Sequence, residues 1–114
     1  MDFKPSPTEL ADLFDRSLPA DLGVSRRKMF GWPAAFVNGR MFASLHTDAM
    51  VVRLGPAELA AFLELPGSRP FEPMPGRPMT GYAVVPGPML TDEPELRAWL
   101  ERALTFTRGL PPKK

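Results

Sequence analysis

The chain reads as an α+β domain of two layers, a mainly antiparallel sheet with helices packed on one face. Three observations lead there. Between Arg26 and Leu54 apolar residues recur with a period of two, and the run is split by Asn38-Gly39, the dipeptide that best meets the positive φ angles of a tight type I′ hairpin. Around Leu10, Leu59 and Leu96 the apolar spacing is instead three and four, the mark of a helix buried along one stripe. The resulting order of helix, strands, helix, strand, helix is that of helices layered on a sheet, within one domain spanning residues 1–114. A chain of this length buries about two-thirds of its unfolded surface.

The first helix opens at Ser6-Pro7-Thr8-Glu9. Ser6 is placed as the cap, Pro7 as the first helical residue, and Glu9 as the closing member of a capping box. Leu10, Leu13, Phe14 and Ser17-Leu18 form the buried stripe, Glu9, Asp12, Asp15 and Arg16 face water, and Pro19 ends the pattern.

The hairpin turn sets a register. Val37 is expected opposite Arg40, Phe36 opposite Met41, Ala34 opposite Ala43 and Trp32 opposite Leu45. A second tight turn at Thr47-Asp48 then brings Leu45 to Met50, Ala43 to Val52 and Met41 to Leu54, extending one apolar face over three strands. The opposite face carries Arg40, Phe42, Ser44, His46, Ala49, Val51 and Arg53, with Phe42 directly across from Arg53. An antiparallel sheet ordinarily leaves such a face wet. A sharper reading makes it a contact surface, on which an exposed Phe beside Arg stacks against a partner's ring. On that reading Phe42→Ala weakens binding and leaves stability within about 1 kcal/mol.

A second helix follows Gly55-Pro56, with Leu59, Phe62 and Leu63 on its inner side, and stops before Pro66-Gly67. The stretch from Pro66 to Gly81 holds five prolines and the apolar Phe71, Met74 and Met79, which predicts an ordered, packed loop. Tyr82-Ala83-Val84-Val85 is a short strand bounded by Pro86. The longest helix begins near Thr91-Asp92 with Glu95 set for a capping box. It buries Leu96, Trp99, Leu100, Ala103, Leu104 and Thr107, and ends at Gly109 and Pro111-Pro112, with Lys113-Lys114 a solvated tail.

Composition limits the chemistry. There is no Cys, so disulfides, thiolate metal sites and cysteine nucleophiles are excluded, and the lone His46 excludes multi-histidine zinc sites. No cofactor-binding or metal-binding motif is present, neither G-x-x-x-x-G-K-[ST] nor G-x-G-x-x-G after a strand. Ser44, His46 and Asp48 are the residue types of a hydrolase triad, but residues two apart on a strand lie about 6.7 Å apart with parallel side chains, beyond nucleophile-to-base reach. Arg26-Arg27-Lys28 is the one dense basic run, read either as a solubilising edge strand or as a small patch with Arg40 or Arg53. Against 14 basic residues stand 13 acidic ones, and a formal charge of +1 argues for weak or absent direct nucleic-acid binding. With no apolar run near 18 residues and no signal-peptide core, a cytoplasmic, membrane-free protein is expected.

The segments Arg27-Lys28-Met29-Phe30-Gly31, Phe36-Val37-Asn38-Gly39-Arg40-Met41-Phe42-Ala43, Val52-Arg53-Leu54-Gly55 and Pro70-Phe71-Glu72-Pro73-Met74-Pro75-Gly76-Arg77-Pro78-Met79 with Tyr82 together resemble the N-terminal domain of the TfoX/Sxy family. The closing Leu96-Arg97-Ala98-Trp99-Leu100 helix resembles that domain's end, and the likeness covers nearly the whole chain. Where the family usually has a second glycine after M-F-G, this sequence has Trp32. Full-length members are regulators of natural competence that are thought to act with the cAMP receptor protein at promoters and carry a second, helical domain. The chain, ending at Lys114, is expected to lack that second domain. The resemblance brings no catalytic residues. It implies Gly31 and Gly39 for backbone geometry, Met29, Phe30 and Met41 for packing, and the G-R-P-M loop as a cover.

Two readings follow. The first is a non-enzymatic regulatory or protein-interaction module whose contact surface draws on Arg26, Lys28, Arg40, Phe42, His46 and Arg53 and whose partner is a protein of the transcription machinery, with homodimerisation through that face or an edge strand open. The second is a small ligand-binding protein or enzyme that uses the outer sheet face around Arg40, Phe42, Ser44, His46 and Arg53.

Overall fold

A computed structural model describes residues 7–29 and 31–111. Ser6, Phe30, Pro112 and Lys113-Lys114, to which the sequence assigned roles as cap, packing residue, terminator and tail, lie outside the described residues. The chain runs α1 (Thr8–Ser17), β1 (Val24–Met29), β2 (Trp32–Val37), β3 (Arg40–His46), β4 (Ala49–Arg53), α2 (Pro56–Leu63), β5 (Arg69–Pro70), β6 (Tyr82–Val84), a 3-10 turn (Gly87–Thr91) and α3 (Glu93–Arg108). The six strands form one antiparallel sheet in the order β1-β2-β3-β4-β6-β5. This is the α+β architecture the periodicity predicts.

The helices share one face. Leu13 and Phe14 of α1, Phe62 of α2, and Leu96, Trp99, Leu100, Ala103 and Leu104 of α3 bury against Ala35, Val37, Ala43, Leu45, Met50, Val52 and Leu54 of the sheet. Helix α3 begins as its sequence dictates, with the Asp92 carboxylate accepting from the Glu95 N–H at 3.3 Å, and ends at Gly109. All six residues of its anticipated stripe are buried. The 3-10 turn that leads into it, closed by Met89 N–H to the Pro86 carbonyl at 3.0 Å, has no periodic signature in the sequence.

Both tight turns form. Asn38 and Gly39 take φ of 53° and 77°, Thr47 takes 58°, and the pairs Val37–Arg40, Phe36–Met41, Leu45–Met50 and Ala43–Val52 are those expected. The register fails between them. A β-bulge at Ala35/Phe36 shifts the β2–β3 pairing by one residue, so Ala35 faces Ala43 and Ala34 faces Ser44. Phe42 is the extra residue, and both it and Ala43 enter the core against the helices. Met41 moves to the opposite face, and Trp32 stacks on His46, ring centroids 4.4 Å apart, instead of lying across from Leu45. The β3–β4 ladder also stops at Ala43–Val52, so Met41 does not pair with Leu54, nor Phe42 with Arg53. The Leu54 N–H turns to the Gly81 carbonyl at 3.0 Å.

The sheet's other face is covered in part. Phe71 and Met79, from the proline-rich segment, pack with Val51, Tyr82, Val84, Met41 and Ala49 in a second apolar cluster. The loop is held by Phe71 N–H to the Tyr82 carbonyl, Met79 N–H to the Phe71 carbonyl and a Met74–Arg77 bridge. Its reading as an ordered cover stands.

Candidate interaction surface

The six residues read as one contact surface fall in five different places. Arg26 and Lys28 lie on β1, the outermost strand, five of whose six residues are exposed. Arg26 reaches back to α1 and pairs with Asp15 at 2.6 Å. Arg27, between them, projects to the outer face, its guanidinium 5.1 Å from the centre of the Phe36 ring.

Phe42 is fully buried. Its assignment to an exposed binding face is corrected by the bulge, which inserts one residue and exchanges the faces of Met41 and Phe42. Arg40 is likewise not on the outer face with Arg53. Its Nε donates to the Pro111 carbonyl at 2.7 Å, tying the hairpin to the end of α3 beside an Asn38 Nδ2 contact to the Arg108 carbonyl. Arg53, opposite Tyr82, holds its guanidinium 5.5 Å from that ring's centre, with Nε buried. The Tyr82 hydroxyl donates at 2.8 Å to the Met41 carbonyl, a group beyond the end of the β3–β4 ladder. Burial pushes the Tyr82 phenol above its ordinary value.

His46 sits at the far end of the sheet. Its ring lies between Trp32 and Phe71, centroids 4.4 and 5.3 Å away, and forms one wall of a cleft of about 430 Å³. Thr47, Asp48 and Ala49 of the second turn and Arg69, Pro70, Phe71 and Glu72 of the β5 region complete the lining with Val84. The lining thus brings the cation Arg69 together with the anions Asp48 and Glu72 beside the rings of His46 and Phe71, a mixture suited to a ligand bearing both charge signs. The β5 contribution was missed because a two-residue strand containing Pro has no period to read. Ser44, read as part of the exposed outer face, lies 5% exposed within the β3–β4 ladder, opposite Val51. Among the described residues no three His, Asp or Glu side chains gather as a metal site, and no helix is long and apolar enough to cross a membrane.

Two carboxylates have their ionised forms favoured by neighbouring donors. The Gly23 N–H and the Arg108 guanidinium lower the Asp21 carboxyl below its usual range, and Arg16 and Arg97 do the same for Glu93.

A six-stranded antiparallel sheet, helices on one face, a proline-rich cover on the other and an uncovered strand at one edge define a small α+β domain whose open features are an edge and a cleft. The sequence profile of the TfoX N-terminal domain matches residues 8–107, and the chain belongs to that family. A search of curated proteins finds no match.

Proposed function

We propose that the protein is a non-enzymatic regulatory module, cytoplasmic in location, that works by binding another protein, a component of the transcription apparatus being the leading candidate. The family match over residues 8–107 carries this reading. The charge balance supports a protein partner over bare DNA, because 14 cations against 13 anions give no broad basic footprint for counterion release. The test is affinity capture from the native host with the tagged full chain and in-cell cross-linking. Enrichment of a transcription component is expected, and recovery of no specific partner rejects the reading.

A second reading rests on the cleft. Its volume of about 430 Å³ and its opposite charge signs, Arg69 against Asp48 and Glu72, favour a small zwitterionic ligand. A thermal-shift screen decides it, since a ligand at about 100 times its Kd stabilises by about 2.7 kcal/mol. A screen of amino acids and related zwitterions without a shift rejects it.

A further inference from the structure

We infer that the outward edge of β1 docks an extended acidic segment of the partner protein by adding a strand to the sheet. This rests on the interaction-module reading above.

The two edges of the sheet are built differently. At one, β5 is two residues long, contains Pro70, and is followed by Phe71, whose N–H bonds to the Tyr82 carbonyl of β6 and whose carbonyl accepts from the Met79 N–H of the loop. That edge is closed in the ways sheets usually prevent pairing. At the other, all six residues of β1 pair with β2 in continuous register without Gly, Pro or bulge. It is a full-length template.

The hairpin settles which backbone groups of β1 point outward. In a two-residue loop the flanking residues, Val37 and Arg40, form the hydrogen-bonded closing pair, so Trp32, Ala34 and Phe36 turn their amides toward β1. Their partners Met29, Arg27 and Ser25 turn inward, leaving Val24, Arg26 and Lys28 directed away from the sheet. The Val24 N–H bears this out by bonding to the Asp21 carbonyl at 3.0 Å, outside the ladder. Among the described residues, the Arg26 and Lys28 amides and carbonyls have no backbone partner.

Charge selects the occupant. A second copy is disfavoured: the two antiparallel registers that align most of the strand place Arg26 opposite Arg26, or Arg27 opposite Arg27 with Arg26 against Lys28. Arg26 already has Asp15, but among the described residues neither Arg27 nor Lys28 has a carboxylate. Arg27 and Lys28 face opposite sides of the strand, so an added strand answers both with two consecutive acidic residues. Met29, 40% exposed, asks for an apolar neighbour next to them.

The probe is a fluorescein-labelled peptide, Thr-Val-Glu-Glu-Val-Thr, titrated into the full chain with anisotropy and amide NMR as readouts. Saturable binding is expected, with the Arg26 and Lys28 amides shifted and slowed in exchange. Lys28→Pro removes an outward N–H that the β1–β2 ladder does not use and should weaken binding about tenfold or more at an unchanged melting midpoint. The double variant Arg27→Glu, Lys28→Glu should lose this peptide and gain its Lys-Lys counterpart. Absence of binding, indifference to both variants, or shifts confined to the His46–Glu72 cleft overturn the proposal. So does a dimer in sedimentation that Lys28→Pro abolishes, which assigns the edge to a second copy. If host capture retains its partner in wild type and Lys28→Pro alike, the edge assignment fails and the module reading survives. If neither captures one, the module reading itself fails.

Discussion

Phe42 shows how much one residue's placement decides. A strict alternation from the Asn38-Gly39 turn puts it among Arg53 and Val51 on the wet face, where truncation leaves stability nearly unchanged. In the structure it is fully buried against the helices, so Phe42→Ala should destabilise by about 3–5 kcal/mol in urea denaturation. A loss below about 1 kcal/mol would return it to the surface. Gly55 has a comparable role, set by packing and not by backbone geometry. Its backbone, φ −70° and ψ 165°, is open to any residue, yet a Cβ there would lie 2.8 Å from Cδ1 of Phe106. Gly55→Ala should therefore cost about 1–3 kcal/mol by overpacking. In a Phe106→Ala background the same change should cost nothing, and an undiminished cost there would rule out the contact as the cause.

At the scale of elements, α1 and α3 are joined at their exposed rims by Glu93, which accepts from Arg16 Nε at 2.9 Å and from Arg97 Nη2 at 2.7 Å. Both guanidiniums favour the ionised carboxyl, holding its pKa below the ordinary glutamate value of 4.5. The unfolded chain therefore takes up this proton first on acidification, and the stability Glu93 contributes is present at neutral pH and lost as the pH falls below that value. Melting midpoints of wild type and Glu93→Gln should differ near pH 7 and draw together as the pH falls below 4.5. A gap that persists in acid would mean the carboxylate's charge is not its source. The same scale shows what the sequence could and could not disclose. The α3 stripe and both tight turns depend on residues a few positions apart, so Leu96 to Thr107, Asn38-Gly39 and Thr47 were legible. The bulge was not, because Met41, Phe42 and Ala43 are all apolar and suit either face. The fate of Phe42 depends on a core assembled from α1, α2 and α3. Of the six proposed surface residues only Arg26, Lys28 and His46 remain on open features, since Arg40 and Arg53 were claimed by partners distant in sequence, Pro111 and Tyr82.

For the molecule as a whole, the fold makes the proline-rich segment a structural one. It turns a half-wet sheet into one with apolar packing on both faces and leaves the β1 edge and the His46 cleft as the places where something else can be met. The strand order also has a kinetic meaning. Strands β1 to β4 are neighbours in sequence as well as in space, whereas Arg53 meets Tyr82 only after the chain has travelled through α2 and the loop. Closing that excursion costs entropy before any β4–β6 bond repays it, so the meander is the natural early unit and the β4–β6 seam joins late. Native-state hydrogen exchange should find the seam amides of Leu54 and Val85, bonded to Gly81 and Met50, less protected than those pairing Ala43 with Val52. Equal protection would make the sheet one cooperative unit. A seam that opens ahead of the rest makes the segment from β5 through β6 a hinged flap, able to expose Val51 and Val84 while the β1 edge stays fully formed at the other end of the sheet.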